Sequence, residues 1–409
     1  MRNRKSLPLN LTLPQWLSIA ALLIVQFLAA FYLQGMVILA PAFAAAYHLD
    51  ALQVSTLISV KAFGSVLGGL ALGRVLDRIN GRHLPWVGLL SALLLLGFAE
   101  KWIVGYFVLL VSMLILGMVL PVFSILGLYA ITHDYPAHQV GKLLGIRQSV
   151  IPLGGIVAGT VFPLLFAVGL FPVLGGMGVL ICGMTLLLLI AVRWTPSTLS
   201  VSISKEAASH VPLRILWPVG LVVFLLGAGQ FSVLIFAIFY LHTLAIHAAW
   251  IGGVLFGVFL TGGFLARIVA GFLVVGIVSL KHVFAAILMI GALTMIIWGS
   301  FPDHPVVWGI LCFSFILGIG IVGYNALPFQ WAASLVDHHQ KGRVMGIMSA
   351  VAGLSIVLWM PVFGMIVEIW GYRPMWYILA ILYVVALVVV LRYAGMSTSS
   401  QVTAQPTVD

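Results

Sequence analysis

Twelve apolar runs constrain this chain more than any other feature of its sequence. They fall at 15–40, 51–73, 84–99, 102–131, 142–168 and 171–193, then at 214–240, 249–276, 281–300, 305–333, 344–367 and 374–392. A helix rises about 1.5 Å per residue, so a run of about twenty residues matches the ~30 Å hydrocarbon core of a bilayer. Inside lipid the backbone has to satisfy its own N–H and C=O groups, which restricts what can span. Charged residues make up only 7% of the chain and hydrophobic ones 63%, whereas a soluble domain carries roughly 25% charged residues. The predicted fold is an all-α polytopic membrane protein, with 12 transmembrane helices as two pseudo-symmetric six-helix bundles.

The longest polar connection inside the chain, 194–212, contains Thr195, Ser197, Ser200, Ser202, Lys205, Glu206 and Ser209. It divides the chain into an N-terminal bundle, 1–194, a cytoplasmic linker, 195–212, and a C-terminal bundle, 213–396. The polar tail 397–409 has no apolar period and is predicted to be disordered. Met1-Arg2-Asn3-Arg4-Lys5 precedes an apolar run too long for a cleaved signal peptide, so that run reads as the first transmembrane helix.

Loop charge sets the orientation. With the amino terminus inside, the inner segments hold Arg2, Arg4, Lys5, Arg74, Arg78, Arg82, Lys142, Arg147, Arg193, Lys205, Arg214, Lys281, Lys341, Arg343 and Arg392, against Lys101 and Arg373 outside. This asymmetry predicts both termini in the cytoplasm and an even number of helices. It also accounts for the formal net charge of +10, so nucleic acid is not an expected partner. The setting expected is the inner (plasma) membrane of a bacterium, with membrane lipids around a monomer.

The halves resemble each other. Gly141-Lys142-Leu143-Leu144-Gly145-Ile146 returns as Gly342-Arg343-Val344-Met345-Gly346-Ile347, and Gly73 with its loop corresponds to Gly271 through His282. The two offsets, 201 and 198 residues, nearly agree, as a duplicated six-helix unit requires. Gly68-Gly69, Gly154-Gly155, Gly159, Gly252-Gly253 and Gly262-Gly263 are places where helix backbones can approach closely. Pro152, Pro163 and Pro328 each remove a backbone donor and are predicted to bend or break their helices.

Between the second and third runs lies Gly73-Arg74-Val75-Leu76-Asp77-Arg78-Ile79-Asn80-Gly81-Arg82. Gly73, Asp77, Arg78, Gly81 and Arg82 correspond to a pattern of the form G-x-x-x-D-R-x-G-R-R, with one extra residue between Arg78 and Gly81 and His83 at the last basic position. This stretch resembles the loop between the second and third helices of the major facilitator superfamily. The resemblance implies a loop that latches the two bundles and gates the cytoplasmic side. With the internal duplication, it extends over nearly the whole chain.

Three cations fall within the spans: Lys61 about ten residues into the second, Arg147 a turn or two inside the fifth, and Arg267 deep in the eighth. A cation there costs about 2.5–3.5 kcal/mol on insertion scales, so it tends to face a polar interior. Snorkelling to the interface is the other reading, and it suits Arg147 better than Lys61. The acidic residues are Asp50, Asp77, Glu100, Asp134, Glu206, Asp303, Asp337, Glu368 and Asp409, each predicted in a loop, at a helix end or in the tail. None is placed to neutralise Lys61 or Arg267, which points to an anion that comes and goes. Arg267-Ile268-Val269-Ala270-Gly271 is similar to the Arg-x-x-x-Gly run of facilitators. In the oxalate–formate and monocarboxylate branches the resemblance implies an eighth-helix arginine on the substrate carboxylate. Gly145-Ile146-Arg147-Gln148-Ser149 with Pro152-Leu153-Gly154-Gly155 resembles the fifth helix of a bacterial branch containing cyanate-type carriers.

The facilitator fold lines its cavity with the first, fourth, seventh and tenth helices. Here those offer Gln26, Tyr32 and Gln34; Tyr129; Gln230 and Tyr240; and Tyr324, Asn325 and Gln330. The candidate substrate-binding set is Lys61, Arg267, Arg147, Tyr32, Gln34, Tyr129, Gln230, Tyr324 and Asn325. Trp359-Met360-Pro361 is a candidate aromatic wall, and Trp16, Trp102, Trp194, Trp376 and Tyr377 read as interface anchors. The eleven histidines and two cysteines show no metal-ligand spacing, and no Gly-rich loop ends in Lys-Ser or Lys-Thr, so no metal, cofactor or ATP-driven pumping is expected. With no clustered catalytic groups, the chain reads as a carrier rather than an enzyme. The expected function is secondary active transport of a small anion by alternating access, with proton or counter-anion coupling. The alternative is a proton-coupled exporter of drugs or hydrophobic compounds.

Overall fold

The computed structural model describes residues 12–76, 88–99, 105–134, 137–165, 168–194, 213–244, 249–276, 278–336 and 340–394, with some side chains within them left out. The first crossing is α1 (Leu13–Ile38) followed by a short α2 (Ala40–Tyr47), and the second is α3 (Ala51–Leu76). Then come α4 (Gly88–Ala99), α5 (Tyr106–Val119) with α6 (Pro121–Asp134), α7 (Ala137–Leu165) and α8 (Leu170–Trp194). The second half runs α9 (Leu213–Thr243), α10 (Ala249–Gly276), α11 (Leu280–Gly299), α12 (Val307–Val322) with α13 (Leu327–Ser334), α14 (Lys341–Trp370) and α15 (Tyr372–Tyr393). Among the described residues, ten segments are long and apolar enough to cross a bilayer, and Val150–Leu165 within α7 is a shorter apolar piece. With α7, and with α4 as the described part of the third run, each of the twelve predicted crossings has a helix.

Local chemistry starts and stops these helices. Ahead of α3, Gln53 N–H donates to Asp50 Oδ1 at 2.6 Å while Asp50 N–H donates to Gln53 Oε1 at 3.1 Å, a reciprocal cap. Proline interrupts the chain where it opens a new helix, at Pro41, Pro121 and Pro328, because the first helical N–H groups have no partner to lose. Pro328 thus behaves as predicted. Pro152 and Pro163 do not break their helix: both lie within the continuous α7. Close neighbours flank α7 there. Gly154 lies against the Phe27 carbonyl and the Ala30 methyl on α1, and Gly159 lies against Gly257 on α10.

The two halves repeat each other's packing. In the first, α1 packs on α7 and α8, α3 on α5, and α4 on α8; in the second, α9 packs on α14 and α15, α10 on α12, and α11 on α15. Those are equivalent pairs under the sequence repeat. The tightest contacts also repeat. A methyl on Gly64, Gly68 or Gly117 would run into the facing backbone of α5 or α3, and one on Gly262 or Gly318 would do so between α10 and α12. Such contact suits lipid, where no hydrophobic force drives helices together. Of the glycine pairs predicted to allow close approach, Gly69 meets nothing within 4 Å.

The bundles meet along two seams, α3 with α14 and α7 with α10. On the first, Ser59 Oγ donates to the Val357 carbonyl at 2.6 Å, and Gly364 lies on Ser55 and Leu52. On the second, Gly155 meets Leu260, Gly159 meets Gly253 and Gly257, and Gly253 meets Pro163. These α7–α10 contacts use the second half of α7 and the first half of α10, the side predicted to face outward. The linker 195–212 and the tail 397–409 lie outside the described residues.

Candidate functional site

On α3 the large exposed residues are Phe63, Leu67 and Leu70, which share one face at about 100° per residue. Lys61 lies on the opposite face, two residues past the Ser59 contact. Its Nζ sits over the Tyr32 ring of α1, 5.9 Å from the centroid, within cation–π range. Tyr32 is 1% exposed, and its hydroxyl has no hydrogen-bond partner among the described residues. No described carboxylate pairs with Lys61; the ion pair found among the described residues joins Arg373 and Asp303.

Arg267 is arranged in the same way in the other bundle. The exposed stripe of α10 is Leu265, Ile268, Val269 and Phe272, and Arg267 projects from the far side. Its Nε donates to the Val322 carbonyl at 2.9 Å. Val322 ends α12, where the helix gives way to a turn over Gly323–Ala326, so Arg267 reads a carbonyl at the break. Asn325 N–H also approaches that oxygen at 3.4 Å. In the same turn, Tyr324 is buried and its hydroxyl donates to the Leu226 carbonyl of α9 at 2.9 Å, with Gln230 Oε1 at 3.4 Å. At 1.5 Å per residue Lys61 lies about 15 Å from the start of α3 and Arg267 about 27 Å from the start of α10. Lys61 is near mid-span, and Arg267 lies about a third of the way in from the end of its helix.

The remaining predicted site residues divide. Arg147 is 4% exposed, and its Nη2 donates to Gln26 Oε1 on α1 and, at 2.7 Å, to the Ser124 carbonyl on α6. Its guanidinium packs against Gly127. It ties three helices together inside the first bundle, and the snorkelling alternative does not describe it. Gln26 is thereby taken up as its partner. Gln34 packs beside Gly155 on α7, close to Leu260 of α10. Tyr324 and Asn325 lie in the turn that follows the carbonyl bound by Arg267, and Gln230 faces the Tyr324 hydroxyl. The Tyr129 side chain lies outside the described residues, as do Asp77, Arg78, Gly81 and Arg82; Gly73 falls in the last turn of α3.

Tyr240 faces the core: its hydroxyl donates to the Trp298 carbonyl at 3.0 Å, and its ring meets Trp376 at 5.7 Å. Trp376 is fully buried there, which corrects its reading as an interface anchor. Among polar groups the sequence reading overlooked, Ser59 and Ser55 are positioned at the α3–α14 seam. Serine is common in membrane helices, so composition gave no signal to single them out. Trp359 stacks near Phe224 and Phe363, 5.6 Å from each, with no partner for its indole N–H among the described residues.

Twelve crossings in two like bundles, with cationic groups inside the spans of both, define a helical membrane transporter. The chain belongs to the Major Facilitator Superfamily, whose model matches residues 22–336 and 281–407. A search of curated protein sequences finds no match. Several solved transporters share the fold. A mutant form of the nucleoside transporter NupG superposes with a TM-score of 0.78 at 14% identity, over 92% of this chain and 99% of that one. A bacterial homologue of the human lysosomal transporter Spinster, inward-facing and unoccupied, gives 0.75 at 13% identity over 94% and 98%. A D-xylose–proton symporter gives 0.71 at 18% identity over 93% and 97%.

Proposed function

We propose that this transporter carries a small anion, an organic acid or a small inorganic anion, by rocking its two bundles about a site between Lys61 and Arg267. The observation that carries the reading is this pair of cations inside the spans, one per bundle, each turned from the exposed apolar stripe and without a carboxylate partner among the described residues. An anion between them would offset the cost of each buried charge, and the guanidinium fork suits a planar oxyanion. Tyr32, Gln34, Gln230, Tyr324 and Asn325 supply the polar wall. Arg147 adds positive potential from within its own bundle. The two bundles are 1–194 and 213–396, joined by a cytoplasmic linker, in a bacterial inner membrane with both termini inside. The loop carrying Gly73, Asp77, Arg78, Gly81 and Arg82 gates the cytoplasmic face, and a proton or counter-anion drives a monomer.

A second reading has one observation in its favour. The Tyr324 hydroxyl beside Gln230 would also suit a neutral, hydroxyl-bearing solute, and the solved relatives named above include nucleoside and xylose transporters. Thermal-shift assays with sodium nitrate, formate, lactate and benzoate, against uridine, xylose and tetraphenylphosphonium, separate the classes. Stabilisation by the anions alone is expected. Stabilisation by uridine or xylose favours the second reading, and by tetraphenylphosphonium an exporter of lipophilic compounds. In proteoliposomes, Lys61→Ala and Arg267→Ala are each expected to cut uptake of the stabilising anion at least tenfold. Undiminished uptake by both removes the anion site.

A further inference from the structure

We infer that Lys61 carries the coupling proton, so that one proton travels with each anion. The inference rests on the anion reading above and deepens it. Three basic side chains lie in the spans, and two are guanidinium groups, which do not release a proton in proteins. Both are also tied down, Arg147 by Gln26 and the Ser124 carbonyl and Arg267 by the Val322 carbonyl. Lys61 is the third. Its ammonium can lose a proton, and it has no described hydrogen bond or ion pair, only the Tyr32 ring beneath it.

The neighbours of Lys61 leave it the single described titratable amine at this depth. From α1 it faces Tyr32. From α5 the closest approach is Gly117, on its carbonyl, and the one titratable residue of that helix, Tyr106, lies at the outer end, bonded to the Gln53 carbonyl at 3.2 Å. Among the described side chains of α14, the titratable one is Glu368, near that helix's last turn and beyond the Gly364 contact with Ser55. The described side chains of α6 include none.

A cycle follows from this arrangement. Protonated Lys61 rests over the Tyr32 ring and, with Arg267, admits an anion. The loaded carrier moves with that proton aboard. After the anion leaves, the ammonium gives its proton to water on the same side, and the neutral amine loses its hold on the ring face. The emptied carrier then returns without the charge and takes up a new proton at the starting side. Anion and proton cross together, and no further co-reactant is needed.

The test uses Lys61→Arg, which keeps the charge and can stack on Tyr32 but cannot give up its proton. Proteoliposomes with an internal pH dye and external labelled nitrate, formate, lactate or benzoate report proton and anion movement together. Wild type is expected to move one proton per anion and to accumulate anion along an imposed pH gradient. Lys61→Arg is expected to lose gradient-driven accumulation at least tenfold more than it loses exchange, and to exchange at a rate independent of pH, whatever fraction of exchange the altered site retains. Lys61→Gln is expected to lose exchange as well. If Lys61→Arg keeps the wild-type ratio of accumulation to exchange, the inference is overturned while the anion reading stands. If wild type takes up anion into anion-free vesicles with no proton signal, the inference is likewise overturned. If Lys61→Arg does not fold or exchanges none, the pH profile of wild-type exchange decides: a fall as pH rises supports a lysine carrier, and a flat profile overturns it. If wild type exchanges none of the four anions, the anion reading falls and takes this inference with it.

Discussion

At the residue scale, buried positive charge is handled here by oxygen dipoles rather than carboxylates. Arg147 takes a side-chain amide and a main-chain carbonyl, and Arg267 takes the carbonyl at the end of α12. Replacing Arg147 by Met leaves Gln26 and the Ser124 carbonyl facing an apolar side chain. Hydrogen bonds to charged groups are worth about 1.5–3 kcal/mol, and a loss of that order is expected in equilibrium unfolding by SDS titration. Tyr324→Phe removes one neutral bond to Leu226, for about 1 kcal/mol in the same assay, and is expected to weaken anion uptake by less than Arg267→Ala does. The three cations were visible in the sequence as charges inside apolar runs. The partner of Arg147 was not, because Gln26 lies 121 residues away and only the folded bundle brings α1 to α7. Arg373 is the contrasting case. Its pair with Asp303 has side chains 50% and 77% exposed, and Arg373→Ala is expected to change stability by no more than about 1 kcal/mol.

At the element scale, hydropathy located the crossings and misjudged how some are divided. The fourth run holds two helices, α5 and α6, split before Pro121, and the fifth stays whole despite Pro152 and Pro163. The same residue type acts oppositely because position in the helix decides. At a first turn the missing N–H costs nothing, whereas within a helix it leaves a carbonyl that neighbours can satisfy in a packed bundle. Single-sequence reading sees the proline and not the neighbours. Glycines were more legible, since Gly159 and Gly253 were flagged as close-approach sites and do form the α7–α10 seam. Gly253→Val would drive a side chain into Pro163 and the Gly159 carbonyl. Spin labels on the outer ends of α7 and α10 are expected to read a longer distance in that variant.

At the scale of the whole molecule, the duplication seen at offsets of 201 and 198 residues reappears as duplicated helix pairing. Each half satisfies its own contacts, and the halves touch mainly along two related seams. Co-expression of 1–194 and 213–409 as separate chains is therefore expected to restore a substantial fraction of full-length uptake. The α7–α10 seam has one more consequence. Much of it is main chain lying on main chain, with glycine on both sides and few long side chains to disentangle. Parting the two surfaces asks for little rotamer reshuffling, so the turnover speed of such a machine would be set less by unfastening its doors than by water and cargo refilling the gap.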